Sequence, residues 1–498
     1  MRPPPTTFEA IEAVAWRQPD RIALVDGDQV WRYEDLYLNL VRFTRLLHAL
    51  GVRRGQRVAV SRPNFQLQLL LLIACENLGA ATSPFLGTGD PDAQALFGLV
   101  DWVFSEVPQA CPAGVRFQPI NDAFVAQVAE MDPHDPTPCP RVALEPHEVQ
   151  RLSRTSGSSG RSKFMPLSRQ AQEHWIRIST DNGAYTPDSR LLLEGPLVIN
   201  AAWSRTCACL RLGAAVLSVP TAQVPTLRYT HVWALPMQLA QLLDELPSGY
   251  VAPEPVRVGS AGGFVTPPLR RQVREVFGTE VVSGYGTNEV GGICADLDDS
   301  GTGWLSAGVD LRILGADGRE LAPGETGIIA VRTPAMAGGY LDDPAATQAA
   351  FQDGWFHSGD LGALVGPRRL RLAGRHDDLV NLGGHKVPAS QVEAQIREVV
   401  AVRDCAVLVV HLAGGSVSLG IALAVDPDLP RRPLARQLET ALSLEGAASA
   451  RIVFMDALPR LSGGKLDRMA LHRVFVADAR RPPSDAKPTG STTTASPG

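Results

Sequence analysis

Stretches of strand length alternate with helical ones along most of this chain, and that alternation limits its fold more than any other feature. Residues 22–25 and 30–33 read as strands, 33–50 has helical apolar spacing with Gly51 as its stop, and 57–61 is again a strand. A helix at 65–78, ended by Gly79, and a strand at 80–84 follow. The pattern resumes after residue 190, with strands at 191–194, 215–219, 231–235, 256–259 and 280–283 and helices near 204–212, 237–246 and 268–277. Strands linked through helices pair in parallel and are covered by those helices. The expected class is therefore α/β, with helix-covered, mostly parallel sheets. Short strands and turns beyond residue 300 (309–314, 327–332) predict a small β-rich subdomain. Residues 108–147, rich in Pro and polar side chains, predict a surface excursion.

From residue 376 a last unit begins, with helices near 390–400 and 433–444 and strands at 404–411, 417–425 and 451–455. The expected division is a large domain over 1–375, a small α+β domain over 376–478 and a disordered tail over 479–498, where Pro, Ser and Thr repeat.

At 498 residues and 45% hydrophobic the chain has material for a large core. A net charge of −5 gives no electrostatic reason for nucleic acid or an anionic membrane as partner. The longest wholly apolar run, 69–75, falls far short of the ~20 residues of a membrane helix, and the N-terminus lacks an apolar signal core. The cysteines at 75, 111, 139, 207, 209, 294 and 405 are scattered, without metal-ligand spacing, and read as reduced thiols of a cytoplasmic protein. His174, His231 and His357 also lack ligand spacing and read as surface or core residues.

Between the two alternating regions lies Thr155-Ser156-Gly157-Ser158-Ser159-Gly160-Arg161-Ser162-Lys163. Glycines let a backbone turn with its N–H groups inward, hydroxyls add donors and Lys163 adds a positive charge, which is what a polyphosphate needs from a loop. A strand over 148–153 and helical spacing over 167–178 predict that the loop joins strand to helix. Taken alone the run also fits a plain surface linker. It is not a Walker loop, since Ser162 precedes and Phe164 follows the lysine.

Four later stretches give the loop a meaning. Gly284-Tyr285-Gly286-Thr287-Asn288-Glu289 puts an aromatic ring, small residues and a carboxylate at a strand's C-terminal end, where ligands of α/β sheets collect. Trp355 to Leu361 presents Asp360 after a glycine turn, and a carboxylate there can accept both protons of a sugar diol. Residues 374–380 and 383–387 gather charges and glycines, including Arg375, Asp377, Gly383 and Gly384, at the expected domain boundary. Residues 458–465 end in Lys465 on a Ser-Gly-Gly turn.

In order and spacing these stretches resemble the adenylate-forming superfamily of acyl-CoA synthetases, peptide-synthetase adenylation domains and luciferases. The similarity runs from about residue 8 to 475 and takes in Gly324-Glu325-Thr326-Gly327, Gly339-Tyr340, Pro344 and Thr347. The resemblance implies an acid–thiol ligase with ATP and Mg²⁺, and a mobile C-terminal lid. Thr155, Ser156, Gly157, Ser158, Ser159, Gly160 and Lys163 would wrap the β,γ-phosphates; Tyr285 would stack on adenine beside Gly286, Thr287 and Asn288. Glu289 would ligate Mg²⁺, Asp360 would bind the ribose with help from Arg375, and Lys465 would bridge carboxylate and α-phosphate. Asp377 would be the hinge, with Gly383 and Gly384 along the thiol passage. Asn288 stands where most relatives have Thr; its amide can still donate to a phosphate oxygen. Arg161-Ser162, Asn381 and Gln391 also depart from the usual residues.

The substrate would be a small carboxylic acid. Residues 196–204 contain no acidic side chain to pair with an α-ammonium, which disfavours an ordinary amino acid. Family layout points to Asn200, Ala201, Trp203, Ser260, Ala261, Gly262 and Gly263 as pocket residues, and Asn200 suits an ortho substituent on an aryl acid or, equally, a helix N-cap. A medium-chain or branched aliphatic acid is the alternative, and a non-catalytic nucleotide-binding relative the rival of another class. The acceptor would be CoA or a carrier protein's phosphopantetheine; no carrier motif occurs in the chain, so a carrier would act in trans. Monomer and homodimer remain equally open.

Overall fold

The computed structural model describes residues 4–479 apart from 62–63, 88, 157–161, 377–378, 383–384, 400–401, 412–416, 427–428, 443–449 and 461–465. Its described residues divide into two compact units, one within residues 4–373 and the other within residues 374–479.

In the first unit a sheet of 14 strands has a parallel run, in spatial order Ile22–Asp26, Ala215–Ser218, Arg190–Glu194, His231–Ala234, Arg257–Ala261 and Val281–Thr287. At Gly291–Ala295 the pairing turns antiparallel and continues through Thr302–Leu305, Arg369–Arg375, Trp355–Gly366, Gly327–Arg332 and Asp310–Leu314. The β-rich segment beyond residue 300 is thus continuous with the main sheet. A second sheet of 6 strands is parallel through Arg116–Pro119, Trp102–Ser105, Arg57–Val60, Ala81–Pro84 and Val149–Ser156, and ends on antiparallel Ser162–Ser168.

The helix Phe65–Asn77 is apolar on all sides because it touches both sheets at once, through Arg57–Val60 and Ala81–Pro84 on one and Ile22–Asp26 on the other. Arg169–Gly183 also touches both. The helix Tyr33–Leu50 buries Leu36, Leu40, Val41, Thr44 and Leu47 at helical spacing and ends on Gly51 in the left-handed conformation (φ 99°).

Two sequence expectations need correction. The Pro-rich region 108–147 contains a strand of the second sheet and a helix, Asp122–Glu130, capped by the Asn121 side chain. Phe124 and Val128, one turn apart, anchor that helix in the core. The serine-rich loop joins a strand to a second strand, not to a helix: Val149–Ser156 and Ser162–Ser168 form a hairpin, and the helix starts only at Arg169 under a Ser168 cap. Phe164, Met165 and Leu167 are buried in that returning strand, an apolar cluster that in sequence passes for the start of a helix.

The second unit has a sheet of 3 strands, Asp404–His411, Val417–Ala424 and Ala450–Met455. Cys405 and Val407 pack with Val392, Ile396 and Leu438 of the helices Ala389–Val399 and Arg431–Ala441. Alternate residues Ala406, Leu408 and Val410 meet Leu471 and Phe475 of a helix, Arg468–Ala479, that the sequence reading had not placed.

Candidate active site

The residues expected to face the nucleotide gather where the parallel run ends. The strand Val281–Thr287 delivers Tyr285, Gly286 and Thr287, with Asn288 and Glu289 directly after it. Only glycine fits at 286, because a Cβ there would lie 2.4 Å from the Gly291 carbonyl oxygen. The Tyr285 hydroxyl donates to Asp360 Oδ2 at 2.5 Å. Asp360 is held in turn: its N–H donates to Ser358 Oγ (3.1 Å), and the Ser358 hydroxyl donates to the Ile329 carbonyl (3.0 Å).

Glu289 is only 5% exposed, and its Oε1 accepts from the Tyr340 hydroxyl at 2.9 Å. Burial, together with the adjoining Glu289 carboxylate, raises the Tyr340 pKa, so the phenol stays protonated and remains a donor. Lys163 Nζ lies 4.9 Å from the centre of the Tyr340 ring. Tyr340 is fixed by its N–H to Thr347 Oγ1 (2.9 Å) and by Gly339, where a Cβ would strike the Thr347 methyl.

The hairpin stem bearing Lys163 is tied down separately. Arg154 meets Asp90 at 2.7 Å and Asp92 at 3.3 Å, Ser162 Oγ donates to Asp92 at 2.5 Å, and Asn288 Nδ2 donates to the Arg154 carbonyl at 2.7 Å. Burial pushes the Asp90 carboxyl up, but the Arg154 guanidinium and the N–H groups of Leu86 and Asp92 outweigh it and hold the pKa below the ordinary value. Asn288 thus spends its amide on the hairpin backbone, joining the strand end to the stem.

The structure therefore brings together Thr155, Lys163, Asn288, Glu289, Tyr285 and Asp360. Arg375 closes the strand Arg369–Arg375. Gly157, Ser158, Ser159, Gly160, Asp377, Gly383, Gly384 and Lys465 lie outside the described residues, and Ser156 is described only as the end of its strand. Tyr340 and Arg154 were missed as site residues, although Gly339-Tyr340 with Thr347 was visible as a pattern.

On the acid side, Asn200 is the first residue of the helix Asn200–Leu212; the cap position is Ile199. Asn200 is 1% exposed, and its Oδ1 accepts from Gln172 Nε2 at 3.0 Å while its Nδ2 is buried without a partner among the described residues. Trp203 lies in the core under the Arg151 guanidinium, 4.6 Å from its ring. Ala201 and Ala261 are half-buried, and Gly262 and Gly263 are exposed. Ser260 donates to the Ala234 carbonyl (2.9 Å) and is the one expected pocket residue that lines a cavity beside the parallel strands. That cavity's other walls include Tyr185, Arg205, His231, Trp233 and Gly284.

A profile of one family, described as AMP-binding enzyme, matches residues 11–97 and 102–341, more than half of the chain. The chain belongs to the AMP-binding enzyme family. Among similar proteins, feruloyl-CoA synthase from an Amycolatopsis species is 28% identical over 482 residues, covering 92% of this chain and 96% of that one. L-proline–[L-prolyl-carrier protein] ligase from Pseudomonas fluorescens is 25% identical, covering 92% and 97%. The anthranilate CoA ligase AuaEII, solved with anthranoyl-AMP, shares the fold with a TM-score of 0.83 at 18% identity, covering 96% and 99%.

ATP and Mg²⁺ are the ligands that the sequence resemblance implies, and the described residues are compatible with both. Thr287 Oγ1 is buried and has no partner among the described residues, a donor available to a phosphate oxygen. Glu289 offers a single carboxylate, and the described residues contain no cluster of three His, Cys, Asp or Glu side chains. Mg²⁺ bound chiefly through substrate phosphates and water needs no more than one or two protein carboxylates. Among the described residues no helix is long and apolar enough to cross a membrane.

Proposed function

We propose that this AMP-forming acid–thiol ligase activates an aryl carboxylic acid as its acyl-adenylate and passes the acyl group to the thiol of CoA or of a carrier protein's phosphopantetheine. The observation that carries the reading is the linked pair of contacts at one strand end, Lys163–Tyr340–Glu289 and Tyr285–Asp360.

In the first step a carboxylate oxygen attacks the α-phosphorus of ATP, the new C–O–P linkage forms, and the α–β bridge breaks to release pyrophosphate. A carboxylate is already nucleophilic at neutral pH, so no general base is needed. The obstacle is repulsion between anions, which fixed cations relieve. Lys163 would face the β,γ-phosphates, Glu289 would hold Mg²⁺, Asp360 would accept the ribose hydroxyl protons, and Lys465 would bridge the reacting carboxylate and α-phosphate. Magnesium supplies charge neutralisation on the phosphate oxygens. In the second step the thiol sulfur attacks the acyl carbon, its proton leaves, and AMP departs; a small-domain movement about Asp377, with Gly383 and Gly384 along the thiol's path, accounts for the change of task.

Asn200 supports the aryl acid. Its Nδ2 and the Oε1 of its partner Gln172 are both buried without a partner among the described residues, a donor and an acceptor that a ring substituent ortho to the carboxylate can meet. The free thiols of all seven cysteines fit a cytoplasmic enzyme. Exchange of labelled pyrophosphate into ATP, measured with a panel of aryl and aliphatic acids, tests the proposal. Aryl acids should lead the panel, and Lys465→Ala should abolish exchange while retaining ATP binding. Exchange led by medium-chain or branched aliphatic acids would assign the other substrate class.

A further inference from the structure

The cavity beside the parallel strands contains an arginine that the chemistry above does not use. Its upper end is walled by Ser260 and Gly284, the latter directly preceding Tyr285, so it lies beside the strand end that bears the proposed reaction centre. Its lower end is marked by His231 and Arg257, which are register partners three residues below the Ala234–Ser260 pair. Three residues of strand span about 10 Å. Gly259 keeps one wall flat, since a Cβ there would meet the Trp233 ring at 3.2 Å. No carboxylate lines the cavity.

Arg205 reaches into this space from the helix Asn200–Leu212. It is half-buried, its guanidinium 4.7 Å from the centre of the Trp233 ring, and it donates to the Ala201 carbonyl at 3.1 Å. Among the described residues no acidic side chain pairs with it. Burial lowers its pKa, a measure of how poorly the protein alone solvates the charge. The cavity's other titratable groups do not oppose an anion: burial and the nearby Arg257 hold His231 down to about 4, so it is neutral at pH 7; burial raises the pKa of Tyr185, whose hydroxyl is a neutral hydrogen-bond partner of Arg205; and Arg257 adds a second guanidinium.

We infer that the far end of the acid pocket receives a second carboxylate of the substrate, paired with the Arg205 guanidinium, so that the acid activated here is a diacid. The inference rests on the adenylating role proposed above and narrows its substrate class. A guanidinium forks two N–H groups toward a carboxylate, and in a cavity without competing acids that pairing offsets the desolvation of both charges. The chain's remaining acid group, up to about 10 Å away, is the one left to meet the α-phosphate.

Acid-dependent pyrophosphate exchange on wild type, Arg205→Met and Arg205→Lys tests this with matched probes: benzoate against terephthalate, cinnamate against 4-carboxycinnamate, and hexanoate against hexanedioate. The readout is the diacid-to-monoacid ratio of kcat/KM within each pair, from which a general loss of folded enzyme cancels. Wild type should favour the diacid in at least one pair, and Arg205→Met should cut that ratio by roughly 30-fold or more, with Arg205→Lys between the two. Wild type favouring the monoacid in every pair would overturn the inference while leaving the adenylating role intact. A ratio unchanged in Arg205→Met would overturn it as well. Failure of every acid to support exchange would remove the adenylating role itself, and the inference with it.

Discussion

Tyr285 and Asp360, seventy-five positions apart in the chain, share a hydrogen bond of 2.5 Å from phenol to carboxylate. On the roles proposed above, the ring that would stack on adenine also orients the carboxylate that would bind the ribose, so one contact would set both halves of the nucleoside site. Tyr285→Phe keeps the ring and removes the hydroxyl. A hydrogen bond to a charged group contributes roughly 1.5–3 kcal/mol. The KM for ATP in the exchange reaction should rise about tenfold with kcat nearly unchanged. An unaltered KM would show that Asp360 is positioned without Tyr285.

Tyr340 plays the corresponding part for Glu289, the carboxylate proposed to hold Mg²⁺. Tyr340→Phe retains the ring under Lys163 and leaves Glu289 Oε1 without its donor. Partners of a metal ligand typically change metal affinity by about 10- to 100-fold. Half-saturation by Mg²⁺ at fixed ATP should move up by about tenfold, whereas Glu289→Gln should lose activity that added Mg²⁺ does not restore. A magnesium titration of both variants reads this.

A buried ion pair supports the core on the acid side. Glu76 Oε1 lies 4.0 Å from Arg151, and the carboxylate accepts from Thr82 (2.8 Å) and Gln150 (2.9 Å). Burial raises the Glu76 pKa and lowers that of Arg151 to about 10, so desolvation opposes both charges and each depends on the other. Glu76→Gln should destabilise the large unit by roughly 3–5 kcal/mol in urea unfolding, since it strands a buried guanidinium. The double variant Glu76→Gln/Arg151→Met should recover part of that loss.

Acid should unfold the protein through two histidines. Burial, reinforced by Arg177 at His174 and by Arg257 at His231, lowers both from 6.5 to about 4. Both are therefore neutral in the folded protein at pH values where the unfolded chain binds a proton. Their contribution is complete above pH 6.5 and is lost as the pH falls from 6.5 to about 4. Melting temperatures across that interval should fall less steeply in His231→Gln than in wild type.

Much of this architecture is written in local pattern. The helix Tyr33–Leu50 and the strands of the parallel run follow from apolar spacing and glycine stops, because those elements are stabilised by the same burial that spaces their residues. The position of Tyr285 and Glu289 at the end of a strand was legible from the buried apolar run before them, and a strand end in an α/β sheet is where ligands meet the backbone. The hairpin after Ser156 was not: Phe164, Met165 and Leu167 are buried by tertiary contacts that make a short apolar run read equally as strand or helix. Tyr340 and Arg205 escaped notice for another reason. Each acts through a partner distant in sequence, Glu289 fifty-one residues away and the cavity wall at Trp233, and no local spacing encodes such a pairing. Arg205 does stand two residues beyond Trp203 on the same helix, a position from which a long side chain reaches the sheet.

The central claim, that a carboxylate attacks the α-phosphorus, is tested most directly by following oxygen. An acid that supports exchange is prepared with oxygen-18 in both carboxylate positions and converted to its thioester, and the nucleotide product is weighed by mass spectrometry. The account predicts AMP carrying one heavy oxygen from the acid and unlabelled pyrophosphate. Heavy oxygen in inorganic phosphate, with ADP as the nucleotide product, would mean attack on the γ-phosphorus and would contradict it.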